Sequence, residues 1–324
     1  MSDELSDIRD AVDAILSDHG DDNRALWRTL GDTGFALLGV PEEIGGSGGS
    51  LAELAVVVRA AAHHGAAVPL AESAGLAGWL LAQVGLPVPA GLVAVSLDEA
   101  RLGSGRLSGR CRVPWGRHAD HVVTLARSDA ALRVAVVSVA GGELARAENL
   151  AGEPRDVVTF KDVPVTAVAD TEISSADLRR RGALLRSVQL AGAAGAVLES
   201  TRRHVGERVQ FGRPLARFQA VQQQLAALAG QVTSIRVAAD AAVLGGEQET
   251  AVAAAKATAS AGAQAVTSIG HQLHGALGYS TEHPLGSATR RLWSWREEFG
   301  NEAYWQDRLA AIALGGGWWP TVTR

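Results

Sequence analysis

Apolar residues recur at helical spacing through the first third of the chain. Ile8, Val12 and Ile15 fall on one helix face, and Trp27, Leu30 and Leu37 continue at a similar period. The glycine-rich stretch Val40-Pro-Glu-Glu-Ile-Gly-Gly-Ser-Gly-Gly49 breaks the pattern, and Ser50 is placed to cap a further helix over residues 51–64. Over residues 92–169 the period changes. Val93-Ala-Val-Ser, His121-Val-Val-Thr-Leu, Arg133-Val-Ala-Val-Val-Ser-Val and Val157-Val-Thr-Phe are short β-branched runs separated by Gly, Pro and Asp, the pattern of a small antiparallel β-domain. From Asp177 the chain reads as helical again, in long alanine-rich stretches over 216–245 and 250–275. The pattern predicts an α+β, mainly α protein: an N-terminal helical domain (1–90), a reduced β-domain (91–170) and a C-terminal helical bundle (171–324).

Composition narrows the setting. The 324 residues can bury a large core, and 47% hydrophobic with 20% charged residues is ordinary for a globular protein. A net charge of −5 gives no reason to expect nucleic acid or an anionic membrane as partner. A single cysteine, Cys111, excludes an internal disulfide and fits a reducing compartment. The acidic Met-Ser-Asp-Glu-Leu start lacks the order of a signal peptide, and no uninterrupted apolar run reaches the ~18 residues of a membrane span. The expectation is a cytoplasmic protein. Gly45-Gly-Ser-Gly-Gly49 has neither a strand before it nor a lysine after it, so it reads as an interhelical loop rather than a phosphate cradle.

Two segments carry the chemistry: Arg208-Val-Gln-Phe-Gly-Arg-Pro-Leu-Ala-Arg-Phe-Gln219 and Gln272-Leu-His-Gly-Ala-Leu-Gly-Tyr279. Taken singly, Arg208 is an ordinary helix-end cation and Gln219 a surface residue. Taken together, they resemble the R-x-x-F-G-x-x-x-x-x-Q and Q-x-x-G-G-x-G-[FY] segments of the acyl-CoA dehydrogenase family. Val40-Pro-Glu-Glu also resembles that family's N-terminal L-G-V-P-E-x-x-G-G-x-G phrase, and the order helical, β, helical matches its layout over essentially the whole chain. The resemblance implies FAD as cofactor, held partly by the neighbouring subunit. Arg208 would grip the pyrophosphate, as a guanidinium does bidentately; Phe211 would pack on the flavin side and Gln219 would reach the adenine end. Gln272, Leu273, His274 and Gly275 would form a second wall, with Ala276 in place of the family's second glycine.

Other family elements are missing. The reaction needs a carboxylate base at the α-carbon of an acyl-CoA thioester. One family position for it, in a Y-E-G-T segment, falls on Phe299; the other, at the start of the helix before R-x-x-F-G, falls on Gly182. Glu298, one residue from the first position, is the remaining candidate, with a solvated acidic pair Glu297-Glu298 as its plain alternative. In the β-domain, Val95 to Gly105 is too short for the family's T-E-P-x-x-G-S-D loop. Arg112-Val-Pro-Trp-Gly116 replaces its W-I-[TS]-N strand, with Pro114 for the hydroxyl residue and Trp115 as a flavin platform or core aromatic. The CoA-binding arginine beside the helix position corresponds to Ala183.

The chain thus resembles the shorter, incomplete subunit of actinobacterial heteromeric (α2β2) acyl-CoA dehydrogenases, many of which act on steroid side-chain CoA thioesters. The implied partners are a full-length acyl-CoA dehydrogenase subunit, an acyl-CoA substrate and an electron-transfer flavoprotein as acceptor. A self-sufficient homotetramer using Glu298, a non-catalytic acyl-CoA-binding scaffold and a related flavin monooxygenase remain open. His63-His64 and His271/His274 lack the spacing and partners of a metal site, so no metal is expected. Trp293, Trp295, Trp305 and Trp318-Trp319 suggest subunit contact or core.

Overall fold

The computed structural model describes residues 3–18, 22–129, 131–279 and 284–315. These fall into two compact units, one within 1–57 and 67–182, the other within 58–66 and 183–324.

In the first unit, α1 (Asp3–Asp18) buries Val12 and Leu16. Helix α2 (Asn23–Asp32) starts where the Asp22 carboxylate accepts the N–H groups of Arg24 and Ala25 at 3.1 and 3.0 Å, and it buries Leu26 and Leu30. Ser50 reciprocally caps α3 (Leu51–His63), which belongs to this unit only as far as Val57. The Ser50 N–H donates to Glu53 Oε2 at 2.6 Å, and the Glu53 N–H donates to Ser50 Oγ at 3.3 Å. The glycine-rich segment before it is a tight loop in which Val40 bridges Gly48; a Cβ on Gly46 would stand 2.1 Å from the Val40 carbonyl oxygen. Helical periodicity before residue 90 does not distinguish the next feature, a fully buried π-helical segment (Ala71–Gly78) leading into α4 (Trp79–Val84).

Eight strands follow: β1 (Val93–Val95), β2 (Ala100–Gly103), β3 (Arg106–Pro114), β4 (His121–Arg127), β5 (Leu132–Ser138), β6 (Glu143–Ala145), β7 (Arg155–Pro164) and β8 (Ala167–Asp170). Their order is β6-β7-β3-β2-β4-β5-β8, with β1 also on β4. The sheet is mixed rather than purely antiparallel, because β1 and β2 both run parallel to β4. After the β2–β3 hairpin, residues 115–120 carry the chain across to β4 on the far side of β2, which restores the direction of β1 and β2. Leu107, Cys111, Val113, Val122, Val137 and Phe160 pack in its core, and burial pushes the Cys111 thiol up.

The second unit takes α5 (Ser175–Glu207) from Ala183 onward, then a two-stranded hairpin of β9 (Val209–Gln210) and β10 (Arg213–Pro214). Helices α6 (Gln219–Leu244), α7 (Glu249–His274), α8 (Pro284–Glu297) and α9 (Glu302–Leu314) complete it. Helix α7 is central and packs against α6, α8 and α9, burying Ala253, Ala255, Ala259, Ala263 and Val266. By length and composition α6 is apolar enough to cross a membrane, although no uninterrupted apolar run signals this. Its leucine, valine, isoleucine and alanine residues are interrupted by Arg236 and Asp240. One face, with Leu228, Val232, Ile235 and Ala239, is buried, while Val237 and Leu244 are exposed.

Candidate functional site

Helix α5 ends at Glu207, and the Arg208 N–H still donates to the His204 carbonyl at 2.9 Å. The chain then turns back through the hairpin, where Val209 pairs with Pro214 and Gln210 with Arg213. Phe211 and Gly212 form the tip, both at positive φ (52° and 77°), and the Phe211 side chain is 91% exposed. Arg213 lies 4.1 Å over the Phe218 ring, which meets Phe211 edge-on, so the base of the loop is held by aromatic contacts. Arg208 and Gln219 are exposed, and among the described residues the Arg208 guanidinium has no ion-pair partner.

The second segment closes α7. Gln272 is exposed, Leu273 and His274 are buried, and Gly275 adopts φ 62°, ψ −145°, a region open essentially to glycine alone. His274 Nδ1 lies 2.8 Å from the Gly270 carbonyl oxygen, and its ring stacks on His204 with centroids 4.5 Å apart. That stack joins the end of α7 to the turn of α5 just before Arg208. The fold therefore brings both segments to one end of the bundle. Arg208, Phe211, Gln219, Gln272 and Gly275 are on its surface, and Leu273 and His274 lie beneath.

The region around Glu298 holds residues that sequence reasoning missed. Arg186, wholly buried in α5, places Nε and Nη2 each 2.7 Å from Glu298 Oε2 and its guanidinium carbon 5.4 Å from the Phe299 ring centroid; it also donates to Gln189. Phe299 (φ 57°) and Gly300 (φ 95°) turn the chain between α8 and α9, and Trp305 Nε1 donates to the Phe299 carbonyl at 3.1 Å. Under this turn, buried Lys256 donates to the carbonyls of Arg296 and Gly300 at 2.7 and 2.8 Å and to Ser260 Oγ at 3.0 Å. Burial and then Arg186 lower Lys256 to about 7. Its neutral amine would still have a proton for each carbonyl. Arg186 within Ala183-Leu-Leu-Arg-Ser-Val and Lys256 within Ala253-Ala-Ala-Lys-Ala-Thr are lone cations in apolar runs, and that was their available signal.

Elsewhere, Ala183 is buried in α5. Trp115 is 8% exposed, held at φ 63°, and its N–H donates to the Pro154 carbonyl. His63 Nε2 lies 3.0 Å from Glu199, and His271 Nε2 lies 3.2 Å from Thr289 Oγ1. Trp295 and Trp305 are core residues, whereas Trp293 is partly exposed beneath Arg296. Trp318 and Trp319 lie outside the described residues.

Residues 2–87 match the family model for the acyl-CoA dehydrogenase N-terminal domain, and residues 180–313 match that for the C-terminal domain. The acyl-CoA dehydrogenase IpdE2 of Mycobacterium tuberculosis is 34% identical over 237 residues, 70% of this chain and 68% of that protein. The chain belongs to the acyl-CoA dehydrogenase family. Acyl-CoA dehydrogenases are FAD-dependent oxidoreductases. FadE27 of the same organism is 31% identical over 63% of this chain and 62% of its own length. Among solved structures, the ChsE4-ChsE5 complex from Mycobacterium tuberculosis contains a chain that superposes with a TM-score of 0.85 at 24% identity, covering 97% of this chain and 98% of that one. The butyryl-CoA dehydrogenase of Megasphaera elsdenii superposes at 0.87 with 20% identity, covering 97% and 99%. Both share the acyl-CoA dehydrogenase fold with this chain.

Proposed function

We propose that this chain is the flavin-sharing, base-lacking subunit of a heteromeric acyl-CoA dehydrogenase. In this reading it completes the FAD site of a full-length partner in an α2β2 assembly. The observation that carries the reading is the exposed hairpin. A phenylalanine at 91% exposure beside a guanidinium with no ion-pair partner among the described residues is a poor surface for an isolated chain and a good one for a partner's cofactor. The group fits: Arg208 would take the pyrophosphate, Phe211 the flavin side, and Gln219 and Gln272 polar edges, while Gly275 allows close backbone approach. Bound FAD would supply the acceptor for the hydride leaving the acyl β-carbon. This chain's part is to bind and orient.

Glu298 supports the base-lacking half of the reading. Two donors of Arg186, Nε and Nη2, converge on one of its oxygens, and a carboxylate held as an ion-pair acceptor is poorly placed to take a proton from substrate. The partner subunit would provide the base. The exposed face of α6, with Val237 and Leu244, is available for subunit contact. Two solved neighbours are named as a two-protein complex or a steroid enzyme pair, the ChsE4-ChsE5 complex and the Tcur3481-Tcur3483 steroid ACAD. The first is a complex of two proteins and the second is described as a steroid ACAD, which supports a heteromer here; the substrate of this reading is a steroid side-chain CoA thioester. Electrons would pass to an electron-transfer flavoprotein.

The test is the FAD-per-chain ratio of this protein alone and coexpressed with a complete acyl-CoA dehydrogenase partner. One FAD per pair of chains in the complex, and none in the chain alone, is the expected result. One FAD per chain in the protein alone would overturn it in favour of a homo-oligomer.

A further inference from the structure

The first unit contains a cavity of about 480 Å³ that the shared-flavin reading does not use. It lies between α2 and the crossover leading to β4, and its volume is in the range of small-molecule sites. Arg24, Trp27 and Arg28 line it from one face of α2, as spacings of three and four dictate. Trp115, His118 and Asp120 line it from the crossover.

The chemistry of this lining is unusually specific. Arg24 and Arg28 are exposed, and among the described residues neither guanidinium has a hydrogen-bonded or ion-paired acceptor. Arg117, also on the wall, differs: it is locked to Asp156 at 2.7 Å and Glu148 at 2.8 Å, so its charge is already matched. Two indoles, Trp27 and Trp115, border the same space. Trp115 is held in the left-handed region at φ 63°, a conformation costly for a bulky residue, with its ring 6.1 Å from that of His118. Burial and then Arg117 hold His118 below its usual value, leaving it a neutral donor–acceptor at neutral pH. Asp120 is fixed by the Leu92 N–H at 2.8 Å and is the one acidic residue on the wall.

A simple organic acid would use the arginines but not the indoles, and Asp120 would repel it. A neutral aromatic would leave both arginines unused. A ligand with a planar ring, hydroxyl or amino donors and a separate multivalent anion uses all three. We propose that this cavity binds an adenosine phosphate, with the base on the indoles, the phosphates on Arg24 and Arg28, and a ribose hydroxyl or the amino group on Asp120. Two molecules carry that chemistry, a free adenine nucleotide and the nucleotide end of coenzyme A. The site is independent of the flavin reading, since Arg208 belongs to the other unit.

The experiment is calorimetric titration of the full-length protein with ADP, CoA, 3′-dephospho-CoA and adenosine. Because FAD also carries adenosine diphosphate, the titration is repeated in Arg208→Ala. One ADP site per chain is expected, retained in Arg208→Ala and weakened roughly tenfold or more in Arg24→Gln and Arg28→Gln, with adenosine weaker than ADP. Both arginines are exposed, so these variants keep the fold, and Trp27→Leu should weaken binding in the same direction. CoA tighter than 3′-dephospho-CoA identifies the coenzyme as source; equal binding of ADP and both CoA forms identifies the free nucleotide. No binding of ADP or CoA at millimolar concentration would overturn the proposal. So would affinity unchanged in the Arg24→Gln, Arg28→Gln double variant, or ADP binding abolished by Arg208→Ala alone.

Discussion

Arg186 and Glu298 meet across 112 positions of sequence, with Nε and Nη2 of the arginine sharing one carboxylate oxygen at 2.7 Å. The pair ties α5 to the turn between α8 and α9, the segment where a base was to be sought. The Arg186 side chain is 1% exposed and that of Glu298 19%, so the pair lies largely out of water.

Removing one partner of such a pair leaves an uncompensated charge. Arg186→Ala should lower stability by about 3 kcal/mol, and Glu298→Gln by roughly 1–3 kcal/mol, read from urea unfolding midpoints. If Glu298→Gln unfolds like wild type while the assembled enzyme loses turnover, Glu298 is the base and the ion-pair account fails.

Lys256 has a folded-state pKa near 7, below its ordinary 10.5, because burial and Arg186 oppose its charge. Between those values the unfolded chain binds more protons than the folded one, so stability from this group rises with pH from about 7 to 10.5. One proton corresponds to at most about 1.4 kcal/mol per pH unit. Unfolding curves at pH 6.5, 8 and 9.5 should show this rise, and Lys256→Met should remove it. Parallel profiles for the two proteins would show that Lys256 does not titrate there.

Arg208→Ala and Phe211→Ala alter exposed side chains of the hairpin. Thermal unfolding of the isolated chain should move by no more than about 0.5 kcal/mol. FAD retention in the complex with a full-length partner, read by visible absorbance after gel filtration, should fall. Undiminished flavin in both variants would remove the hairpin from the cofactor site.

Asp156 is fully buried, and burial alone would raise its pKa. The Arg117 side chain, followed by the N–H groups of Arg117 and Ala147, outweighs this and holds it below the ordinary carboxylate value. Its contribution is therefore present at neutral pH and lost on acidification through the folded-state value. Arg117→Ala should cost roughly 3–5 kcal/mol at pH 7 and progressively less as Asp156 becomes protonated. Circular dichroism melts at pH 7 and pH 4 would test this, and an equal loss at both would contradict the assigned charge.

Much of this molecule is local in origin and so was legible in the residues. The Ser50 cap, the alanine-rich helices and the β-branched runs each depend on neighbours within a few positions. What escaped has long-range causes. The π-helical segment over Ala71–Gly78 differs from an α-helix by one backbone register, and the side-chain pattern does not record that. The parallel pairing of β1 and β2 with β4 follows from where a crossover lands.

The amino-acid sequence by itself determined the family, the mainly helical order around a small sheet, and where the two segments that resemble the family's lie, because spacing and propensity are written along the chain. Only the tertiary structure decided that His204 stacks on His274 to set those segments side by side. It alone placed Arg186 against Glu298, and Lys256 beneath the turn that carries it. It also gathered Trp27 and Trp115 around one cavity. Each of these depends on the packing of side chains far apart in sequence, and no local period encodes which distant groups share a buried space.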